Sequence, residues 1–213
     1  VPFPSTPSVD RERIVIERRS ASGGISVRGV SIPYQPSGIW AWSPEGAFAT
    51  ARTDRYRVEI HRPPPWPGEA PSGDPSERLG PSRIVERDVP RVRVPEGERA
   101  ALRAQLVERL SGLEGGRGID IPELPTQKPP IGFVRFAEDG QILVRVSKPS
   151  VFEGEEWVEE QAIDFFDPGG KFKGRAILPQ SFSIRRMVGD QLWGVFRDPL
   201  GVESIRRYRI TWP

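Results

Sequence analysis

The feature that most constrains this chain is a unit that returns: a strand with alternating apolar residues, a glycine-containing turn, a second strand, a loop and a third strand. Its first appearance is "IWAWSPEGAFATARTDRYRVEI" (39–60), where Trp40, Trp42 and Phe48, then Tyr56, Val58 and Ile60, fall at every second position around a Pro-Glu-Gly turn. A period of two places one face of a sheet against a core. The unit returns at 131–150, where Phe133 and Phe136 precede Asp139-Gly140 and Ile142, Val144 and Val146 follow it, the signature of a hairpin. The segments 157–167 and 171–179, joined by Pro168-Gly169-Gly170, extend it to four strands. A third copy occupies 183–212, with Gly189-Asp190 as its turn and Ile205, Tyr208 and Ile210 on its last strand.

Units of this kind spaced ~50 residues apart predict an all-β fold, a partial, open β-propeller of about three four-stranded antiparallel blades. Their expected extents are 38–94, 131–179 and 182–212. The first blade takes 82–90 as its fourth strand, beyond a Pro-rich loop. The third has three strands of its own, and "RIVIERR" (13–19) is the candidate to complete it by pairing beside "YRITW". A domain from 13 to 213 then follows an extended Pro-rich arm, residues 1–12. One segment breaks the β pattern: in 95–112 Leu102, Leu106 and Leu110 recur at i, i+4 and i+8, with Pro95 and two glutamates at the start and Gly112 at the end. That spacing predicts an inserted amphipathic helix whose leucine stripe covers the rim of the adjacent sheets, a partner-docking stripe being the alternative.

Composition narrows function. Lys and Arg number 31 against 29 Asp and Glu, too small an imbalance to make nucleic acid an attractive partner. Only Lys128, Lys148, Lys171 and Lys173 are lysines; the arginine excess suits bidentate pairing with carboxylates. With no cysteine there is no disulfide or thiolate chemistry, and no apolar run approaches the ~18 residues of a membrane span. The chain opens on Val1, which points to a removed leader or an upstream segment.

Candidate chemistry is sparse. The single histidine, His61, ends a strand without a nucleophile and acid at triad spacing, and reads as a rim residue. Asp54, Asp139, Asp164, Asp167, Asp190 and Asp198 lie in or beside predicted turns, where aspartate caps backbone groups. A central Ca²⁺ of the kind some propeller hydrolases hold needs several oxygen ligands, and this chain has no asparagine and half a ring. No phosphate loop is present, and no cofactor is expected.

The phrases "WAWSPEGAFATARTDRYRVEI", "RDVPRVRVPEGERAALRAQL", "GFVRFAEDGQILVR", "AIDFFDPGGKFKGRAILP" and "LWGVFRDPLGVESIRRYRI" resemble the C-terminal half of bacterial six-bladed β-propeller proteins common in Gemmatimonadota-type genomes, over about residues 38–212. The resemblance implies an extracytoplasmic place and carries no catalytic motif. About three blades fall short of six, so bare sheet borders invite association.

The expected function is therefore a non-enzymatic binding or scaffold protein, an accessory (extrinsic) subunit docked on a larger, membrane-embedded complex of the respiratory or photosynthetic kind. Its partners are protein subunits, and its contact with the membrane is peripheral at most. Candidate partner-binding residues are Val1, Pro2, Phe3 and Pro4 in the arm, Trp66 in the Pro loop, and the doublets Arg185-Arg186 and Arg206-Arg207, whose members are expected on opposite sides of their strands, as are Arg18 and Arg19. The alternatives are a propeller lactonase or lyase acting on a sugar-derived substrate, and a fragment of a full six-bladed sensor.

Overall fold

A computed structural model describes residues 13–19, 23–61, 81–113 and 118–212. The chain is mostly β, with several antiparallel sheets and one helix among the described residues. Three of the sheets follow the returning unit. The first contains β3 (Gly38–Trp42), β4 (Phe48–Arg52), β5 (Arg57–His61) and β6 (Arg83–Glu86), paired in chain order. The second orders β9 (Ile131–Phe136), β10 (Ile142–Val146), β13 (Gln161–Phe166) and β14 (Phe172–Leu178), again antiparallel neighbours. The third has β15 (Phe182–Val188), β16 (Gln191–Arg197) and β17 (Glu203–Arg209).

Turn chemistry sets the registers. Asp139-Gly140 closes β9 onto β10, with Gly140 at φ +78°, and the Asp139 carboxylate accepts from the Gln141 N–H. Gly170, at φ +81°, closes β13 onto β14. A Cβ there would also stand 2.8 Å from the Arg83 side chain, so only glycine fits where this turn meets β6.

The period of two decides how the sheets meet. Along β10 and β13, Ile142, Val144, Val146, Ala162 and Phe166 join Ala49, Ala51, Tyr56, Val58, Ile60 and Val85 of the first sheet in one core. Leu143, Ile163 and Phe165, on the opposite face, join Phe182, Ile184, Met187 and Leu192 of the third sheet in another. The second sheet is therefore covered on both faces, and among the described residues the first and third are each covered by another sheet on one face. Residues 162–166 are buried without interruption, as a doubly covered strand requires.

Several expectations are corrected. β1 (Arg13–Arg19) does not complete the third sheet; it pairs along its whole length with β2 (Ile25–Ser31). That hairpin turns Ile14, Ile16, Val30 and Ile32 onto Leu106 and Leu110 of α1 (Glu96–Ser111). The leucine stripe thus covers a hairpin, with Ile121 and Leu124, rather than the sheet rims. Segment 157–167 is not one strand: β12 (Glu156–Glu159) pairs with β11 (Ser150–Glu153) in a hairpin of their own, and β13 begins at Gln161. Nor does 38–94 form a single sheet, because β7 (Val92–Arg93) pairs with β8 (Gln127–Lys128).

Trp40 and Trp42 also lie on the face opposite to the one expected. Across β3 and β4 they pair with Thr50 and Phe48, while Ile39 and Ala41 pair with Ala51 and Ala49 and face the core. Small alanines let the second sheet approach closely on that side. The indoles are left outside, with Trp40 56% exposed.

Candidate functional site

Two polar clusters and one surface are the places where chemistry could reside. The first cluster centres on Asp164, in the middle of β13 and 0% exposed. Its register places it opposite Val144 and Arg175, on the face toward the first sheet. There Tyr56 Oη donates to Oδ2 at 2.9 Å, Arg87 Nη1 to Oδ2 at 2.6 Å, and Arg175 Nε to Oδ1 at 2.5 Å. The Arg87 guanidinium also lies 3.8 Å from the centre of the Phe172 ring. Burial, followed by the adjacent carboxylate charge, pushes the Tyr56 hydroxyl far above its ordinary pKa. Both carboxylate oxygens are occupied by charge-assisted donors, and the tyrosine holds its proton. The group is a clamp between two sheets, not an available acid or base.

This corrects the placement of Asp164 among turn residues. Asp139, Asp167 and Asp198 do cap backbone N–H groups at turns, those of Gln141, Lys171 and Leu200 respectively. Asp164 sits inside "AIDFF", and that apolar surrounding was the available sign that it must be paired. Beside the clamp opens a cleft of about 510 Å³ lined by Arg55, Arg87, Arg91, Asp54, Glu86 and Asp88 among others. Its charges are of both signs.

The second cluster joins α1 to the β11–β12 hairpin. Lys128, with its side chain 0% exposed, donates to Glu159 Oε2 at 2.6 Å, Ser150 Oγ at 2.5 Å and the Lys148 carbonyl at 3.1 Å. Its Nζ is 3.7 Å from Glu98, in the first turn of the helix. Glu98 Oε1 accepts from Tyr34 Oη at 2.5 Å and Ser150 Oγ at 3.0 Å. Tyr34 takes a left-handed φ of 61° to reach it, a conformation that costs ~1–2 kcal/mol. Burial first, then the Glu98 bond, raises the Tyr34 pKa well above its ordinary value. The Ser150–Lys128 contact has the composition of a nucleophile and its base. Here, however, the Ser150 hydroxyl donates to Glu98 Oε1 and Lys128 Nζ is shared with Glu159 and Glu98, so the serine proton is directed at a carboxylate and not at the lysine.

His61 ends β5 with its Nε2 3.4 Å from Thr50 Oγ1 and its ring beside Phe48. Among the described residues no group of three or more His, Asp or Glu is placed to hold a metal ion.

The surface is the outer face of the third sheet. β16 turns Leu192 and Gly194 inward, so Trp193 and Val195 face outward; on β17 the residues opposite these are Arg207 and Ile205. On β15 the register slips between Ile184 and Arg186, and both Arg185 and Arg186 are exposed. The bulge thus overturns the expected alternation of that doublet, because the extra residue keeps both arginines in solvent. Arg186, Trp193 and Arg207 form one row across three strands, with Arg207 5.3 Å from the Trp193 ring centre. Arg206 lies on the other side, 3.5 Å from the Phe196 ring. Ile205 is 79% and Val188 40% exposed. Arg186 pairs with Glu138; among the described residues Arg185, Arg206 and Arg207 have no carboxylate partner.

Of the candidate partner-binding residues, the structure brings together Arg186, Arg207 and, at the bulge, Arg185. Arg206 is on the opposite face of its strand. Val1, Pro2, Phe3, Pro4 and Trp66 lie outside the described residues. Trp193 was not among the candidates; its signal was a tryptophan between Leu192 and Gly194, out of phase with the buried positions of its strand.

No family model, no curated protein and no solved structure matches this chain. Among the described residues no helix is long and apolar enough to cross a membrane.

Proposed function

We propose that this chain is a non-enzymatic binding scaffold, an open fan of propeller-like blades that docks as an accessory subunit on a larger protein assembly outside the cytoplasm. The observation that carries this reading is the Arg186–Trp193–Arg207 row, flanked by Ile205, on a sheet face that no other sheet among the described residues covers. Aromatic and arginine side chains with an apolar neighbour are the residues that dominate binding energy at protein interfaces. The opposite end of the stack offers a second such face, where Trp40 is 56% and Ile84 42% exposed. Each end face has the apolar and aromatic character that a neighbouring blade would cover, which supports the propeller-like arrangement. The extracytoplasmic place rests on the family resemblance.

The lactonase or lyase reading would use the cleft beside Asp164. Tyr56, which lines that cleft, and Asp164 beside it are both spent on the inter-sheet clamp, which makes this the weaker reading. The test of the scaffold is the mass of the native species in a mild extract of its source, with and without Trp193→Ser. A complex of several subunits that loosens in the variant is expected. A monomer in both cases would refute the reading.

A further inference from the structure

The third sheet ends where the other two continue. In the first, β6 covers the far side of β5, and in the second, β14 covers β13; among the described residues β17 has a neighbour only in β16. Its backbone directions follow from one bond. Ile210 N–H donates to the Asp190 carbonyl, and these two residues continue the β16–β17 register. In an antiparallel ladder the residues that exchange bonds alternate with residues whose N–H and C=O point away. Ser204, Arg206 and Tyr208 therefore bond to β16, and Glu203, Ile205, Arg207 and Arg209 present their N–H and C=O groups outward.

This edge has no proline along 203–209 to blunt it. What it has is positive charge along its second half, Arg206 on the inner face and Arg207 and Arg209 on the outer, while Glu203 at its start is paired with Arg197. Arg209 has Asp190 at 3.4 Å, whereas Arg206 and Arg207 rest on aromatic rings and have no carboxylate among the described residues. A row of arginines repels a second copy of the same edge, since like charges directly across a strand pair are destabilising. The same row favours an incoming strand that carries carboxylates.

We propose that β17 is a docking edge for an extended acidic segment of another polypeptide, which adds to the third sheet as its fourth strand. The inference rests on the scaffold reading and supplies its mode of binding: backbone hydrogen bonds from Ile205, Arg207 and Arg209, with selectivity from the side chains opposite. Read antiparallel from the position facing Arg209 to that facing Ile205, the complementary strand is acid, apolar, acid, acid, apolar. The apolar positions meet Tyr208 and Ile205, and the acids meet the three arginines.

The test uses the 213-residue chain and two capped peptides, Thr-Glu-Val-Glu-Glu-Val-Thr and its counterpart with lysine for glutamate. Residue-resolved amide exchange is followed by NMR. In the chain alone, the amides of Ile205, Arg207 and Arg209 exchange faster than those of Arg206 and Tyr208. The glutamate peptide slows the outward three and binds roughly tenfold or more tightly than the lysine peptide, as a few exposed charge pairs together allow. Arg206→Glu/Arg207→Glu, made at exposed positions, reverses that preference. Arg207→Pro, which removes an outward donor and no bond to β16, weakens both peptides.

Outward amides already protected in the chain alone would show that its own polypeptide fills the edge, and would overturn the proposal. So would equal binding of the two peptides, protection mapped elsewhere, or no binding. The scaffold reading fails separately, through the mass of the native species. A native complex that survives Arg206→Glu/Arg207→Glu would leave the scaffold standing and remove this edge from it.

Discussion

Asp164→Asn tests whether the clamp between the first and second sheets is what the geometry says. The substitution keeps the shape of the side chain but replaces one acceptor oxygen with an NH₂ group and removes the charge. In the native chain that carboxylate takes Tyr56 Oη at 2.9 Å, Arg87 at 2.6 Å and Arg175 at 2.5 Å and 3.1 Å. With its oxygen in the place of Oδ2 the amide keeps Tyr56, Arg87 and the 3.1 Å Arg175 contact, and its NH₂ then faces the Arg175 Nε–H. One bond to a charged group, worth ~1.5–3 kcal/mol, is lost outright, and the two guanidinium bonds that remain fall to the strength of bonds to a neutral acceptor, about 1 kcal/mol less each. The arginine side chains are 29% and 31% exposed and regain water, which reduces the loss to about 2–3 kcal/mol. With a urea slope near the upper end of ~1–3 kcal/mol/M, the unfolding midpoint should fall by about 1 M. Because the carboxylate is fully buried, the difference should persist at high salt, where a surface pair would be screened. Tyr56→Phe supplies the alkaline arm. Below pH ~10 the tyrosine is protonated in both states and its contribution is complete; above it the unfolded tyrosine ionises while the folded one keeps its proton, and stability is lost. The variant should lack part of that alkaline loss, Tyr34 supplying the remainder. A midpoint for Asp164→Asn within ~0.2 M of the parent, a difference of only about half a kcal/mol, would refute the clamp.

Leu106→Ala removes a side chain that is 4% exposed between α1 and the β1–β2 hairpin, and should cost ~2–5 kcal/mol in chemical denaturation; a change near zero would mean that the stripe is free to dock elsewhere. Lys128→Met leaves the buried Glu98 and the half-buried Glu159 without their cation and should cost ~3–5 kcal/mol by the same measurement; a neutral or stabilising result would show that the carboxylates adapt without it.

How much of this was legible in the sequence depended on where the information resides. Asp139-Gly140, Gly189-Asp190 and Pro168-Gly169-Gly170 mark turns by local chemistry, and the hairpins stand where those turns place them. The partner of β1 was not legible, because "RIVIERR" alternates equally well against any neighbour; the isoleucines need an apolar cover, and the sequence does not say that Leu106 and Leu110 provide it. Trp40 and Trp42 show the same ambiguity. A period of two identifies two faces, and here the alanine face is the buried one because small residues admit the second sheet. For the candidate surface, the arginines were legible as exposed, but the row around Trp193 depends on a register and a bulge that only long-range pairing fixes.

The doubly covered second sheet has a consequence during synthesis. Its strands "ILVRV" and "QAIDFF" emerge after the first sheet and can cover one side at once. The other side stays bare until residues 182–209 have followed, an interval of seconds at ~5–20 residues per second. Through that interval a β-rich, largely uncharged ribbon is offered to any neighbouring nascent chain. A ribosomal pause placed just before Phe182 would lengthen the exposure, so the speed of translation through the last hairpin bears on yield as much as any contact in the finished molecule.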